Sequence, residues 1–162
     1  MQKSMSLAVI AIAIYTGSLA GDDKEKAHGS DRDHVLVKSD DLKWMDAPPG
    51  LPRGAKIAVV MGDPGKPAPY VLRAKMPDGY KVPPHWHPTT ENVTVLQGTL
   101  MMGKGEKFDA DASEALTSGG FASMPKGMRH FAWAKGETMI QIHGIGPFDI
   151  TYVNPEDDPR KK

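Results

Sequence analysis

Residues 79–98 read GYKVPPHWHPTTENVTVLQG, and this stretch decides both the fold and the chemistry predicted for the chain. His85 and His87 stand two residues apart in a strand-like segment, so their side chains share one face, about 6.6–7 Å apart along the strand. Residues 88–90 predict a tight hairpin connection, and Glu91 then opens the returning strand opposite the histidines. Two histidines and a carboxylate on one surface are typical ligands of a mononuclear transition-metal site.

A run of short strands surrounds this segment, and one strand begins with His130, a candidate for the fourth ligand. The segments are enriched in β-branched and aromatic residues and are bounded by Gly, Pro and Asp turns. Nine strands are predicted, namely His34–Val37, Lys56–Met61, Pro69–Met76, Tyr80–His87, Asn92–Met102, Gly120–Met124, His130–Ala134, Thr138–His143 and Phe148–Val153. Residues 109–117 are expected to add one helical turn. Strands at a spacing of about 8–12 residues predict an all-β antiparallel sandwich or barrel.

The composition bounds the class of protein. A length of 162 residues predicts one domain, and 17 Gly with 14 Pro argue against a helical bundle. Twenty basic and 20 acidic residues cancel, so no electrostatic surface for nucleic acid is expected. The sequence has no cysteine, which excludes disulfides and thiolate ligands. A metal in this chain must therefore be held by histidine and carboxylate.

The two ends of the sequence differ from the middle. A positive start, the apolar stretch Ser6–Tyr15 and small residues leading to Ala20 predict an export signal cleaved after Ala20. The mature protein is expected to be periplasmic or secreted, without a stable membrane anchor. The predicted organisation is a signal peptide at 1–20, a disordered polar leader at 21–33, a barrel at 34–154 and a polar tail at 155–162.

Two patterns resemble the conserved motifs of the cupin superfamily. They are G-x5-H-W-H-x3-E-x6-G over residues 79–98 and G-x5-P-K-G-x2-H over residues 119–130. The sequence departs from the second motif at Ala134, where the family usually has asparagine. The resemblance covers roughly residues 35–153 and implies an antiparallel double-stranded β-helix, the jelly-roll barrel. The ligands that it implies are His85, His87, Glu91 and His130.

The resemblance also implies a cofactor, which is one divalent transition metal ion: Fe, Mn, Ni, Cu or Zn. Several functions are open: a dioxygenase-like metal-dependent oxidoreductase acting on a small organic substrate, a non-catalytic metal- or small-ligand-binding or sensing module, a zinc-type isomerase or hydrolase, or a barrel that serves only assembly. The sequence offers no convincing general base besides the ligands. A hydrolase usually needs one, so the oxidoreductase is preferred.

Three further residues are weaker candidates for the pocket. Tyr70 lies on the apolar face of its strand and is expected to approach the pocket. Gln141 and His143 share a face and are possible donors to the ligands. The alternation with Ile140 and Ile142 favours the isoleucines as the inward pair, so the polar pair is expected to face outward.

A homodimer is the expected oligomeric state. By strand parity Trp86, Phe131 and Trp133 point away from the metal, and outer aromatic residues need cover. Pairing with a second copy about a two-fold axis would supply that cover. The alternative is that the proline-rich segment Asp40–Arg53 folds across these aromatic residues within one chain.

Overall fold

The computed structural model describes residues 34–162, and this part of the chain is all-β. The strands are β1 (Met45–Asp46), β2 (Lys56–Met61), β3 (Pro69–Met76), β4 (Lys81–Trp86), β5 (Glu91–Lys104), β6 (Glu114–Thr117), β7 (Phe121–Met124), β8 (His130–Ile145) and β9 (Thr151–Tyr152). Single 3-10 turns cover Ser39–Asp41, Pro155–Asp157 and Pro159–Lys161. Across residues 34–162 no helix is long and apolar enough to cross a membrane. The predicted export signal and polar leader lie outside the described residues.

The long strand β8 organises an antiparallel sheet that curls into a barrel. The strand order is β1-β2-β3-β8-β4-β9, and β5 lies along β8 as well and carries β6 and β7. β3 pairs with the second half of β8, and β4 pairs with its first half. The predicted all-β jelly-roll fold is confirmed.

Strand alternation places the core inside the curl. In β3 the side chains of Tyr70, Leu72, Ala74 and Met76 are buried, while the intervening residues are partly or fully exposed. β5 begins with the same alternation. Because successive side chains of a strand point to opposite faces, this pattern gives each strand one apolar face. The inner faces together form the wall of the barrel.

Two local expectations were wrong. Residues 34–37 form no strand, and the side chains of 35–37 are exposed. Residues 109–117 form no helix: the Asp109 carboxylate accepts hydrogen bonds from the backbone N–H groups of Asp111 and Ala112, and β6 follows. A short polar residue that bonds its own following backbone favours a turn over a helix, which explains the second case.

The predicted turn at residues 135–137 is instead an irregularity within the continuous strand β8. Gly136 has a φ of +76°, and its N–H donates to the Asp78 carboxylate at 2.6 Å. A glycine can bend a strand locally at no steric cost, so the ladder continues past it. The two strands predicted on either side of Gly136 are therefore one element.

The outer aromatic residues of β8 are covered within the chain. Phe131 is fully buried, and its ring centroid lies 5.0 Å from that of Phe108. The indole N–H of Trp133 donates to the Ser113 hydroxyl at 3.3 Å. For these two residues the cover comes from the chain around 103–113, so for Phe131 and Trp133 the alternative that assigned it to Asp40–Arg53 was wrong.

Candidate metal centre

The chain crosses the end of the barrel between β4 and β5. β4 pairs with β8 and β9, whereas β5 pairs with β6, β7 and β8, so the predicted hairpin between β4 and β5 was wrong. Prolines at positions 83, 84 and 88 have no N–H to donate, which disfavours a continuous ladder there. The His87 carbonyl instead accepts from the Gly127 N–H at 3.0 Å. Glu91 thus faces the histidines across the barrel interior.

The four residues implied as ligands come together inside the barrel. One ligating nitrogen from each of His85, His87 and His130 lies within 4.8 Å of the others. An oxygen of Glu91 lies 3.4 Å from Nε2 of His87 and 3.3 Å from Nε2 of His130. None of the four is more than 6% exposed. Such a buried cluster requires pairing or an ion, since isolated buried charge is costly.

Backbone carbonyls fix the orientation of all three imidazoles. Nδ1 of His85 bonds the carbonyl two residues earlier, at 2.7 Å, and Nδ1 of His130 does the same at 3.0 Å. Nδ1 of His87 bonds the Asp149 carbonyl at 2.7 Å. A carbonyl oxygen only accepts, so each Nδ1 carries the hydrogen, and Nε2 of a neutral ring then presents its lone pair. All three rings are therefore set to ligate through Nε2.

The ionisable groups of the cluster differ in how readily they bind a proton. Burial, reinforced by the charges of His130 and His87, lowers the pKa of His85 to about 3. Burial acts to lower the pKa of His87, but Glu91 and Asp149 outweigh it and raise that pKa above its ordinary value. Burial acts to raise the pKa of the Glu91 carboxyl, but His130 and His87 hold it below its usual range. At neutral pH Glu91 is ionised, and His87 retains a proton more readily than His85 does.

Metal uptake is therefore expected to release a proton near neutral pH. An ion requires a free Nε2 on each ring, so the proton that His87 binds must leave. Its raised pKa makes the release larger at pH 6 than at pH 8, whereas His85 is already neutral at both values. The number of protons released is measured by calorimetric zinc titrations in two buffers of different ionisation enthalpy. Equal apparent heats in both buffers at pH 6 would contradict this expectation.

The cluster lies at one side of a cavity of about 310 Å³. The rest of the wall is mainly apolar, with side chains from β3, β4, β5 and β8. Representative lining residues are Met76, Val93, Leu100, Ile140, Ile142 and Phe148. The Phe148 ring also stacks on the His87 imidazole, with centroids 4.7 Å apart. The site is thus a concave apolar pocket with one convergent polar group, the arrangement typical of small-molecule sites.

Two tyrosines attach the residue 47–53 loop, which lines this cavity through Pro48, Gly50 and Leu51. Pro48 is exposed, as are the lining residues Asp149 and Arg160, and these three mark the mouth of the cavity. The Tyr80 hydroxyl donates to the Pro52 carbonyl at 2.7 Å, and the Tyr152 hydroxyl donates to the Gly50 carbonyl at 2.8 Å. The sequence predicts this loop across the outer aromatic residues instead, because backbone acceptors leave no mark in a sequence.

The C-terminal tail also reaches the mouth, through Arg160. Its guanidinium donates to the Ile150 carbonyl at 3.0 Å and to both oxygens of Asp158 at 2.8 and 2.9 Å. It also lies 3.6 Å from the Asp149 carboxylate. Sequence analysis assigned no chemistry to the tail, yet Arg160 lines the cavity.

The three weaker candidates line a second groove. Gln141 and His143 lie on the face of β8 opposite to Ile140 and Ile142, whereas Tyr70 lies on the inner face of β3. Tyr70 is buried, and its ring centroid lies 5.4 Å from that of Phe148. The Gln141 side-chain oxygen accepts from Arg73 at 3.2 Å, and His143 pairs across the strand with Val71. None of the three lines the cavity of the metal centre.

The donor set fits a transition metal. Within residues 34–162 the buried Nε2 of His87 has no hydrogen-bond partner, although Glu91 lies close to it. Three imidazole nitrogens and one carboxylate oxygen suit Fe, Mn, Ni, Cu or Zn, whereas Ca²⁺ and Mg²⁺ prefer oxygen ligands. The residues that would hold the ion are His85, His87, Glu91 and His130.

A jelly-roll barrel with this cluster on its inner wall is that of a cupin. Residues 32–149 match the family described as the ChrR cupin-like domain, so the chain belongs to that family. No curated protein sequence matches the chain significantly.

Solved structures from three bacteria share the fold. A protein of Methylibium petroleiphilum, provisionally assigned as an acetylacetone dioxygenase, has 17% identity and a TM-score of 0.60, with 78% of this chain and 85% of that chain covered. The polyketide cyclase RemF of Streptomyces resistomycificus has 18% identity and a TM-score of 0.61, with 78% and 89% covered. KdgF of a Halomonas species has 19% identity and a TM-score of 0.54, with 70% and 94% covered. At these identities the likeness is one of fold.

Proposed function

We propose that the protein is a mononuclear metal-dependent oxidoreductase of the dioxygenase kind, acting on a small organic substrate. The observation that supports it best is the cluster of one ring nitrogen from each of three histidines, with a Glu91 oxygen beside two of the rings, on the wall of an apolar cavity. A redox-active divalent ion would supply the electron-transfer chemistry that side chains lack. In a dioxygenase reaction both atoms of O₂ enter the substrate, which also provides the electrons, so no external reductant is needed.

The chain itself contributes orientation and the exclusion of water. The three backbone carbonyls hold the rings, and Glu91 supplies one negative charge to a site for a divalent ion. Four protein ligands leave one or two positions for substrate on an ion that prefers five or six. The apolar wall keeps the reacting groups in a low-dielectric environment, where the ligand charges act strongly.

The other polar residues of the cavity favour redox chemistry over hydrolysis. The Tyr80 hydroxyl is bonded to a backbone carbonyl, and Arg160 is paired with Asp158. The Asp149 carboxylate accepts from the Ile150 N–H at 2.8 Å and lies beside Arg160. Among the described lining residues, no free general base therefore stands beside the ligands. A zinc hydrolase or isomerase usually needs such a group.

Reconstitution with single metals tests the proposal. Metal-free protein is loaded separately with Fe²⁺, Mn²⁺, Ni²⁺, Cu²⁺ or Zn²⁺, and O₂ uptake is followed with a panel of small oxygen-bearing substrates. Separate loading is essential because zinc and copper bind such sites tightly whatever the working metal is. We expect uptake with a redox-active ion and none with Zn²⁺.

Two variants separate site chemistry from background. His130→Ala removes a ligand and should abolish uptake, whereas His143→Ala alters the groove outside the cavity and should preserve it. If no metal supports O₂ uptake and a small ligand still binds tightly, the protein is a binding or sensing module and not an enzyme. Turnover with Zn²⁺ alone would indicate an isomerase or hydrolase.

We also propose that the protein is exported. The support is the sequence of residues 1–20, with its positive start, apolar stretch and small residues before Ala20. Amino-terminal sequencing of the protein from its native compartment should begin at Gly21. A cytoplasmic protein that retains Met1–Lys3 would overturn this proposal.

The homodimer stays a prediction. Phe131 is buried within its own chain, so it no longer needs a second copy to cover it. Among residues 34–162 large apolar side chains remain exposed, most of all Leu36 (83%), Val35 (58%), Ile145 (56%) and Phe121 (55%). Light scattering at micromolar concentration should give twice the chain mass. A monomer at all concentrations would contradict the prediction.

A further inference from the structure

We propose that the cavity selects small apolar molecules whose oxygen donors are confined to the end that meets the His85–His87–Glu91–His130 cluster. This inference rests on the proposed function in one respect, namely that those donors meet a metal. The preference itself comes from the apolar wall of the cavity, which can be tested without a metal. Sugars, polyols and dicarboxylates are the classes that such a wall rejects.

Over most of its surface, the cavity wall formed by residues 34–162 offers no polar partner to the body of a ligand. Val93 and Ile142 pair across β5 and β8, and both line the cavity together with Ile140 and Met76. A hydroxyl placed against these side chains gives up its hydrogen bonds to water and gains none. Protein data put that loss at about 1–3 kcal/mol for each hydroxyl, which corresponds to roughly 5- to 150-fold in affinity.

The polar groups at the mouth are already paired. The Tyr80 hydroxyl is committed to Pro52, and Arg160 holds Asp158 through two hydrogen bonds. Asp149 adds a second negative charge beside the guanidinium, at 3.6 Å. Within the described part of the chain, the mouth thus has one positive side chain beside two negative ones, and it provides no free cation for a second carboxylate. A ligand charged at both ends is disfavoured there.

The size of the cavity limits the ligand further. A volume of about 310 Å³ is near the lower end of the range of roughly 300–1,000 Å³ for small-molecule pockets. A single ring with small substituents suits this space. The residue 47–53 loop, which forms part of the lining, is held in place by the Tyr80 and Tyr152 hydroxyls.

Two hydroxypyrones test the inference on zinc-loaded protein. Allomaltol and kojic acid carry the same pair of oxygen donors and differ by one hydroxyl, which replaces a methyl hydrogen. Dissociation constants are measured by calorimetry, each normalised to the affinity of that compound for aqueous Zn²⁺. We expect allomaltol to bind about 10- to 100-fold more tightly, the range over which an apolar pocket rejects an added hydroxyl.

A pair of isosteric variants links the preference to the wall. Val93→Thr places a hydroxyl on the apolar wall of the cavity and should narrow the preference for allomaltol to a few-fold. Val71→Thr makes the same change in the second groove and should leave the preference as in wild type. Equal behaviour of the two variants would overturn the assignment of selectivity to the cavity wall.

A metal-free experiment keeps this inference distinct from the proposed function. p-Cresol and 4-hydroxybenzyl alcohol each carry one phenol oxygen for the cluster and differ by one hydroxyl at the opposite end. Both are titrated into metal-free protein, and methyl NMR shifts of Val93, Ile140 and Ile142 report on binding. p-Cresol should bind at least about tenfold more tightly, and Val93→Thr should reduce that ratio. If the protein retains no zinc, the proposed function fails, and the ratio of the two phenol affinities still tests the inference. Equal or tighter binding of kojic acid or of 4-hydroxybenzyl alcohol would overturn the inference.

Discussion

Replacing His87 with alanine is expected to abolish stoichiometric metal binding, with at least about a hundredfold loss of affinity. The variant removes one of three nitrogen donors and leaves Glu91 without one of its two imidazole neighbours. Loss of a mere supporting contact to a metal ligand costs about 10- to 100-fold in affinity, so loss of the ligand itself costs more. Metal content after dialysis and competition with a chromogenic chelator measure the change.

His143→Ala is the matched control for this experiment. It removes a partly buried histidine from the same barrel, but one that lies in the second groove. It should bind one equivalent of metal with wild-type affinity. If both variants lose metal alike, or if His87→Ala keeps its metal, the assignment of the centre is wrong.

Gly103→Ala is expected to destabilise the protein by about 3 kcal/mol, the upper part of the usual range for overpacking a core. Gly103 pairs with Phe131 across β5 and β8, and a Cβ at this position would overlap the buried Phe131 ring. Phe131 is fully buried against Phe108, so the ring has little space to move. Urea denaturation of metal-free protein measures the free energy of unfolding.

Gly65→Ala is the control, because a Cβ there meets only the Asp63 carboxylate at 3.3 Å, in an exposed turn. It should change stability by less than about 0.5 kcal/mol. Phe131→Leu in the Gly103→Ala background should recover part of the loss, since it removes the end of the ring. Additive effects of the two substitutions would show that the side chains do not collide.

The chemistry of the candidate site was more predictable from sequence than its architecture. His85, His87, Glu91 and His130 stand at characteristic spacings, and side-chain identity is what a sequence records. Strand alternation likewise placed apolar residues on an inner face. The pairing of the strands was harder to predict, because the alternation is the same whichever neighbour a strand has. The prediction of a hairpin between β4 and β5 was wrong for this reason.

The surroundings of the ligands could not be predicted, because they depend on backbone groups. The acceptors for the imidazoles of His85, His87 and His130 are all main-chain carbonyls. Every residue has such a group, so no residue type marks these positions. Arg160 was missed for a related reason: its partner Ile150 contributes a carbonyl, and only the fold brings it near the mouth.

The bond between His87 and Asp149 has a consequence for how the proposed metal centre would acquire an ion. The two residues are 62 positions apart, so His87 receives its final orientation only when the chain beyond β8 has been made and packed. The growing chain on the ribosome therefore lacks a complete binding site. Metal would enter a finished barrel, so the ions present where folding ends, and the rigidity of that barrel, would govern which one is kept.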